Sequence, residues 1–347
     1  MPSTITSSGQ TGFAVPTAVL IADIHATDAT VASNALRISL KTPLGNNPSP
    51  TEPLFTTVRA TDGTTAGRAI TNTLSLTISS GSTLGASPFG GGASSPFRIW
   101  VVLFDDSGTF RLAVQNCLYG DGTIFPLIET GVASAIAEGG SGAADSSGVL
   151  YASQAVTSKF FRIVGYMEWL SGFPGARGAW SVLPDNIRLF GPGVQTPGTS
   201  VQQSCATVYV GSTTTSLIPL DGTIPQSNEG AQLVTTPSLL PQSPCNIIEF
   251  DALINVSHSV ASSVIGAIFR DAETDAEAVG WCEIPSAGAV GQVTIRSRLQ
   301  VSDANARTYT VNIGAVIAGT LTINGTFGVR KFAGYLQSVV RISELMV

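Results

Sequence analysis

The residues of this chain that could carry chemistry are two histidines, four cysteines and a few dense acidic stretches. Their spacing groups them poorly. His25 and His258 stand far apart, and a nucleophile–base pair, a zinc site or a His general base would need companions that the sequence does not place beside them. His258, in NVSHSV, follows an alternating apolar stretch and reads as a turn or edge residue. Cys117, Cys205, Cys245 and Cys282 are too widely spaced for a CxxC knuckle, so they are expected as reduced, mostly buried thiols that pack as small hydrophobes. No GxSxG, P-loop or HExxH occurs, and GGGASSP is a glycine loop with no Lys behind it.

Paired carboxylates are the remaining catalytic option. Glycoside cleavage needs two acids about 5–10 Å apart in a groove. Asp105 and Asp106 sit in DDSG, a tight hairpin turn in which Asp accepts backbone hydrogen bonds. Asp271, Glu273, Asp275 and Glu277 lie in RDAETDAEAVGW, where oxygen ligands could gather for Ca²⁺, but the run lacks the glycine turn and spacing of an EF-hand loop. It is read as solvated, and Arg270–Val279 is the best helix candidate in the chain. The sequence therefore predicts no enzyme, with no catalytic, cofactor-binding or metal-ligating residue and no cofactor.

The elements that would position any site are strands. Leu74, Leu76 and Ile78 alternate with Ser75 and Thr77, and Ile248, Phe250, Ala252, Ile254 and Val256 alternate with Glu249, Asp251 and Asn255. Val293 and Ile295 alternate with Thr294, Arg296 and Arg298, and Leu321 and Ile323 do the same in TLTING. A period of two puts apolar side chains on one face of a sheet and polar ones on the other. FRIWVVLF and FFRIVGYMEW are apolar on both faces, which suits strands covered on both sides, with Trp100 and Trp169 in the core. Turn-rich segments such as GNNPSP, DGTTAG and DANA punctuate the strands at short intervals. The fold class expected is all-β: two antiparallel β-sandwich domains joined by a Gly/Pro-rich connector. The divisions expected are a flexible arm at 1–12, a sandwich at 13–190, a linker at 191–204 and a second sandwich at 205–347. EGGSGAADSSG (138–148) is the longest flexible loop, able to contact a neighbour or a host surface.

Only 12% of the 347 residues are charged while 43% are hydrophobic, and the net charge is −6. So few charges leave Ser, Thr, Gly, Asn and Gln to cover the surface, as suits packed assemblies. Lys and Arg form no basic stripe, which argues against nucleic-acid binding. No apolar run approaches the roughly 20 residues of a membrane span, so no membrane insertion is expected. The N-terminal MPSTITSSGQTG lacks the basic start and apolar core of a secretion signal.

Two groups of segments resemble a known class of proteins. ISSGSTLGASPF, FRIWVVLFDDSGTFRLAVQNC, FRIVGYMEWLSG and NIRLFGPGVQTPGTSVQ resemble a domain of phage and prophage structural proteins. DGTIPQSNEGAQ, AIFRDAETDAEAVG, TIRSRLQVSDANARTYTVNIG and GTLTINGTFGVRKFAGYLQSVVRISEL are similar to a C-terminal module of phage tail proteins. The resemblance lies in strand spacing and turn residues and brings no catalytic residue with it. It implies that the two sandwiches are jelly-roll-like and that the chain is a virion protein, assembled in the bacterial cytoplasm and released by lysis. The position it implies first is a tail-associated fibre, tip or appendage; alternatives are a head decoration or head fibre, an icosahedral shell protein and a tail-borne glycan hydrolase. The implied partners are further copies of the chain (a homotrimer first), other virion proteins, and a host-surface glycan or protein. The apolar Val339, Val340, Ile342, Leu345, Met346 and Val347 must be buried, in their own sheet or against such a partner.

Overall fold

The computed structural model describes residues 26–32, 34–59, 65–79, 94–116, 119–120, 123–124, 132–139, 149–175, 178, 180–189 and 197–347. The expected arm at 1–12, His25, Cys117, most of the 138–148 loop and residues 191–196 of the expected linker lie outside them. The fold is all-β, and among the described residues no α-helix occurs. The chain divides into two compact units, with the main boundary between Val194 and Gln195.

In the first unit, β1 (Ala26–Ala32), β2 (Ala35–Lys41) and β5 (Ser75–Ile78) form one sheet, while β3 (Leu54–Arg59) and β4 (Thr65–Ile70) form a separate hairpin. A second sheet holds β6 (Phe97–Asp106), β7 (Thr109–Asn116), β10 (Val132–Ala137), β11 (Leu150–Ala152), β12 (Val156–Trp169) and β13 (Asn186–Leu189). The two-residue strands β8 (Tyr119–Gly120) and β9 (Thr123–Ile124) pair with each other and group with the second unit, not the first. Leu36, Ile38, Leu76 and Ile78 pack against Ile99, Val101, Leu103, Leu112 and Met167, so the two larger sheets share one core. Ordered around Phe97, Trp169, Phe173 and Trp180, this core ends in a cluster of four aromatic rings.

Both faces of β6 are buried, as its sequence requires, and the pairings explain why. β10 pairs β11, β11 pairs β7, β7 pairs β6, β6 pairs β12, and β12 returns to β10. Five strands thus close on themselves. Ile99, Val101 and Leu103 face the partner sheet outside this circuit, which leaves its interior for Trp100, Val102 and Phe104. The DDSG turn forms as the sequence predicts. Ser107 and Gly108 adopt φ of 57° and 94°, both left-handed, as a two-residue hairpin between twisted strands requires, and the Gly108 N–H donates to Asp105 Oδ1 at 2.7 Å.

The second unit is a sandwich of two sheets. One contains β14 (Ser200–Val208), β15 (Ser212–Thr214), β17 (Ile247–His258), β20 (Val290–Gln300), β22 (Leu321–Ile323) and β25 (Ser338–Leu345). The other orders β16 (Ala231–Thr235), β21 (Tyr309–Ala315), β18 (Ser262–Arg270) and β19 (Ala278–Ile284). A small hairpin, β23 (Gly325–Thr326) with β24 (Val329–Arg330), lies between β22 and β25 in the chain. β17 is the spine. It pairs along one side with β20 from Ile247↔Gln300 to Ser257↔Val290, while β25 and β22 share its other side end to end. The predicted alternation holds here: Ile248, Phe250, Ala252, Ile254 and Val256 join Val293, Ile295, Val264, Ile268, Val311 and Ile313 in the core. Each Val, Ile or Phe side chain among them contributes about 1.5–3 kcal/mol on withdrawal from water.

Where β19 passes β20 the two sheets meet at a corner. A Cβ on Gly280 would lie 2.1 Å from the Thr294 carbonyl oxygen, so only glycine lets the backbones approach this closely.

Several expectations change. Arg270–Val279 is no helix: β18 ends at Arg270, Asp271 turns the chain at φ 48°, and β19 begins at Ala278. The antiparallel register Ser262↔Ile284 to Ile268↔Ala278 overrides the weak helical preference of its Ala and Glu residues. His258 is neither turn nor edge but buried at the end of β17, its Nδ1 3.0 Å from the Val260 carbonyl oxygen. The apolar C-terminal segment is absorbed by its own sheet, with β25 between β14 and β17, and so gives no support to a subunit interface. Residues 200–204 of the expected linker belong to β14, opposite Leu345 to Ile342.

That last pairing makes a prediction. A fragment of residues 195–347 should be β-rich by circular dichroism and melt cooperatively on its own, whereas one of residues 205–347, lacking half of β14, should melt at markedly lower temperature. An unfolded 195–347 fragment would place the boundary elsewhere.

Candidate ligand groove

The chemistry-bearing residues singled out in the sequence do not converge. Asp105 accepts from its own turn, and Asp106 takes Arg111 Nε at 2.8 Å with Lys159 Nζ at 3.7 Å. The Arg111 hydrogen bond holds the Asp106 carboxyl below its ordinary range. In the 271–277 run every acid is already engaged. Asp271 Oδ1 accepts from Thr308 N at 2.7 Å, Asp275 Oδ1 from Gln226 Nε2 at 2.9 Å, and Glu273 and Glu277 both pair with Arg270. Among the described residues no group of three or more His, Cys, Asp or Glu could hold a metal ion.

Cys205, Cys245 and Cys282 form no disulfide, and Cys205 is exposed rather than buried. Burial pushes the Cys282 thiol up to about 11. At pH 8 it is therefore almost entirely thiol, and since the thiolate is the nucleophile, Cys282 should react with a disulfide reagent far more slowly than Cys205. Mass mapping of early-labelled protein checks this; Cys282 labelled as fast as Cys205 would refute it.

A groove opens instead on the outer face of the β18–β19 pair. On β19, Ala278, Gly280 and Ile284 turn inward while Val279, Trp281 and Glu283 turn outward. Trp281 stands opposite Ile265 of β18 and is 53% exposed. The facing wall is Pro219–Pro225, held across the sheet by Ile218 N to Ala315 O at 3.1 Å, Gly230 N to Leu217 O at 2.8 Å and Ala276 N to Pro225 O at 3.0 Å. The corner at Gly280 brings β20 alongside, adding Arg296 and Ser297. The groove encloses about 440 Å³.

Its lining is mixed. Leu220, Ile224, Val279 and the Trp281 ring supply exposed apolar surface. Asp221, Thr223, Glu277, Arg296 and Ser297 supply polar groups. Asp221 Oδ1 accepts from the Thr223 N–H at 2.8 Å and hydroxyl at 2.6 Å, which lower its pKa. Burial raises that of Glu277, against the pull of Arg270. Arg296 Nε lies 3.2 Å from Asp251 Oδ1 across the β20–β17 pairing, with most of its side chain in solvent. Such a lining can hold a small molecule with one apolar face and a polar edge.

Sequence reasoning missed this site because its walls come from four separated segments. One signal was present: in AVGWCEI, Trp281 has the parity of Glu283, the solvent-facing one.

No family model matches the chain, and no curated protein matches it. Solved structures give faint likenesses. The insecticidal delta-endotoxin Cry8Ea1 of Bacillus thuringiensis aligns at 8% identity and TM-score 0.21, covering 92% of this chain and 51% of the toxin chain. This chain thus spans about half the toxin's length. The infectious bursal disease virus Gt strain structure aligns at 10% identity and TM-score 0.22, over 93% of this chain and 78% of that one. The VP2 subviral particle of the same virus gives 10% identity and TM-score 0.20, over 92% and 75%. Likeness at this level carries no argument about what the chain does.

Proposed function

We propose that the chain is a non-catalytic structural and binding protein of a bacteriophage particle, tail-associated, with its first unit attached to the particle and its second presenting the Trp281 groove outward. The observation that carries the binding role is the groove itself: an open, mixed apolar and polar surface on the outer face of the β18–β19 pair. The placement on a virion rests on the resemblance of strand and turn segments to phage structural proteins and on the low charge of the surface. In this reading the protein assembles in the host cytoplasm, leaves by lysis and meets a host-surface glycan or protein, without metal or cofactor.

The same reading makes the chain a homotrimer bound to other virion proteins. Support comes from Phe327, Phe332 and Tyr335, which stand largely exposed within nine residues; aromatic side chains are enriched where subunits meet. Closed symmetry would let weak single sites act together.

Immunogold labelling of purified particles with antibody to the second unit tests the placement. Label at the tail is expected, and label at the head would move the protein to the decoration alternative. Absence from purified particles would overturn the reading. Sedimentation at micromolar concentration should give a trimer, and a concentration-independent monomer would remove the oligomer.

A further inference from the structure

We infer that the groove binds one pyranose unit of a neutral saccharide, with a ring face stacked on Trp281 and ring-edge hydroxyls bonded to Asp221, Glu277 and Arg296. This rests on the reading of the second unit as a binding module and names the class of its ligand.

Three features of the groove lead there. The first is the position of Trp281. The chain has four tryptophans; Trp100, Trp169 and Trp180 are 0–1% exposed, whereas Trp281 is 53% exposed on a flat, paired strand. The axial C–H groups of a pyranose carry partial positive charge, and an indole face is electron-rich, so the two stack favourably while both shed water.

The second is the distribution of polar groups. Apolar Leu220, Ile224 and Val279 lie with Trp281, while the acceptors and donors come from Asp221, Thr223, Glu277, Arg296 and Ser297. A sugar has the matching division, with an apolar face and a hydroxyl rim. Asp221 uses Oδ1 for Thr223 and keeps Oδ2 for a ligand, and Arg296 meets Asp251 through Nε, leaving its outer N–H groups available. A volume of about 440 Å³ lies in the range of small-ligand sites, about 300–1,000 Å³.

The third is charge. The one cation in the lining is already paired with Asp251, and the remaining charges are the carboxylates of Asp221 and Glu277. An anionic sugar would face the Asp221 carboxylate with no free cation in the lining to offset it, while a neutral one meets good hydroxyl acceptors. A peptide strand finds less here. The groove lies on the face of β18 and β19, which pair with each other, and offers no open ladder of backbone groups for strand addition.

Trp281 also supplies the readout, being the tryptophan that solvent quenchers reach. Intact protein should be titrated with neutral methyl hexosides and N-acetylhexosaminides while Trp281 emission and saturation-transfer NMR are followed. Saturable binding in the millimolar range is expected, about tenfold weaker in Trp281→Ala, largely kept in Trp281→Phe by NMR, several-fold weaker in Asp221→Asn and unchanged in Tyr335→Ala. Equal melting temperatures of the variants exclude a folding defect. No saturable response to any of these glycosides, binding unaltered in Trp281→Ala, or preference for sialic or uronic acids would each overturn the inference. The particle reading is judged separately, by where antibody labels the virion. Release of new reducing ends, lost in Glu277→Gln, would support the saccharide site and overturn the non-catalytic part of that reading.

Discussion

Glu344→Ala should destabilise the second unit by about 3–5 kcal/mol, the cost of stripping a buried charged group from its partners. Glu344 is 0% exposed on β25. Its carboxylate accepts from Gln242 N at 2.9 Å, Ser243 N at 3.3 Å, Asn246 Nδ2 at 2.5 Å and Gln202 Nε2 at 2.6 Å. These donors belong to β14 and to the segment that leads into β17, so one side chain ties three pieces of chain together. Alanine leaves four donors facing a cavity. Glu344→Gln keeps the shape but turns an amide N–H₂ toward donors, and should cost about 1–3 kcal/mol. Urea unfolding of the 195–347 fragment measures both, and a loss below about 1 kcal/mol for Glu344→Ala would show that water replaces the carboxylate without penalty.

In the first unit the corresponding expectation is Arg98→Ala, again about 3–5 kcal/mol. Arg98 is 0% exposed, donates from Nε and Nη2 to Glu168 Oε1 at 3.0 and 2.5 Å, and lies 4.7 Å from the centre of the Tyr166 ring and 5.6 Å from that of Trp100. Glu168 stands opposite it in the β6–β12 register and also accepts from Asn186 Nδ2 at 3.2 Å. Removing the guanidinium takes the counter-charge from a buried carboxylate. Replacing both partners with apolar residues of similar volume leaves neither charge buried alone and gives up only neutral hydrogen bonds such as that from Asn186, so Arg98→Met with Glu168→Leu should cost less than either Arg98→Ala or Glu168→Ala alone. Calorimetry of the intact chain, following the transition of the first unit, decides this. A double variant as unstable as the sum of the singles would mean that the two side chains are not energetically coupled and would overturn this expectation.

How much of this was legible in the sequence varies with how local the cause is. The alternation at Ile248–Val256 was, because a strand with one buried face writes that pattern residue by residue. The Ser107–Gly108 turn was, because left-handed backbone has a small vocabulary of residues. The doubly apolar β6 announced two covered faces, though not that one of them would look into a closed circuit of strands, which depends on the distant pairing of β10 with β12. Arg270–Val279 misled because its composition is tolerable in a helix, and the deciding fact, the pairing of β18 with β19, lies outside it. Glu344 was passed over inside an apolar segment, since a hub of backbone donors contributed by residues about a hundred positions away leaves no local trace. The Trp281 groove is of the same kind: Pro219–Pro225, Ile265, Ala276–Trp281 and Arg296–Ser297 become neighbours only once the sandwich has formed.

The glycine at the sandwich corner bears on a hazard that every open sheet carries. Among the described residues β19 is hydrogen-bonded only to β18, and β20 only to β17, so each would otherwise show a row of unpaired amides and carbonyls to any passing chain. With Gly280 seated against Thr294, each strand obstructs the other's bare side. A single missing methyl group thus guards against uncontrolled β-addition, and hence against precipitation, wherever many copies are made at once. A larger residue at 280 would pry that corner apart and expose both edges together, so its damage would grow with protein concentration, as no simple packing defect does.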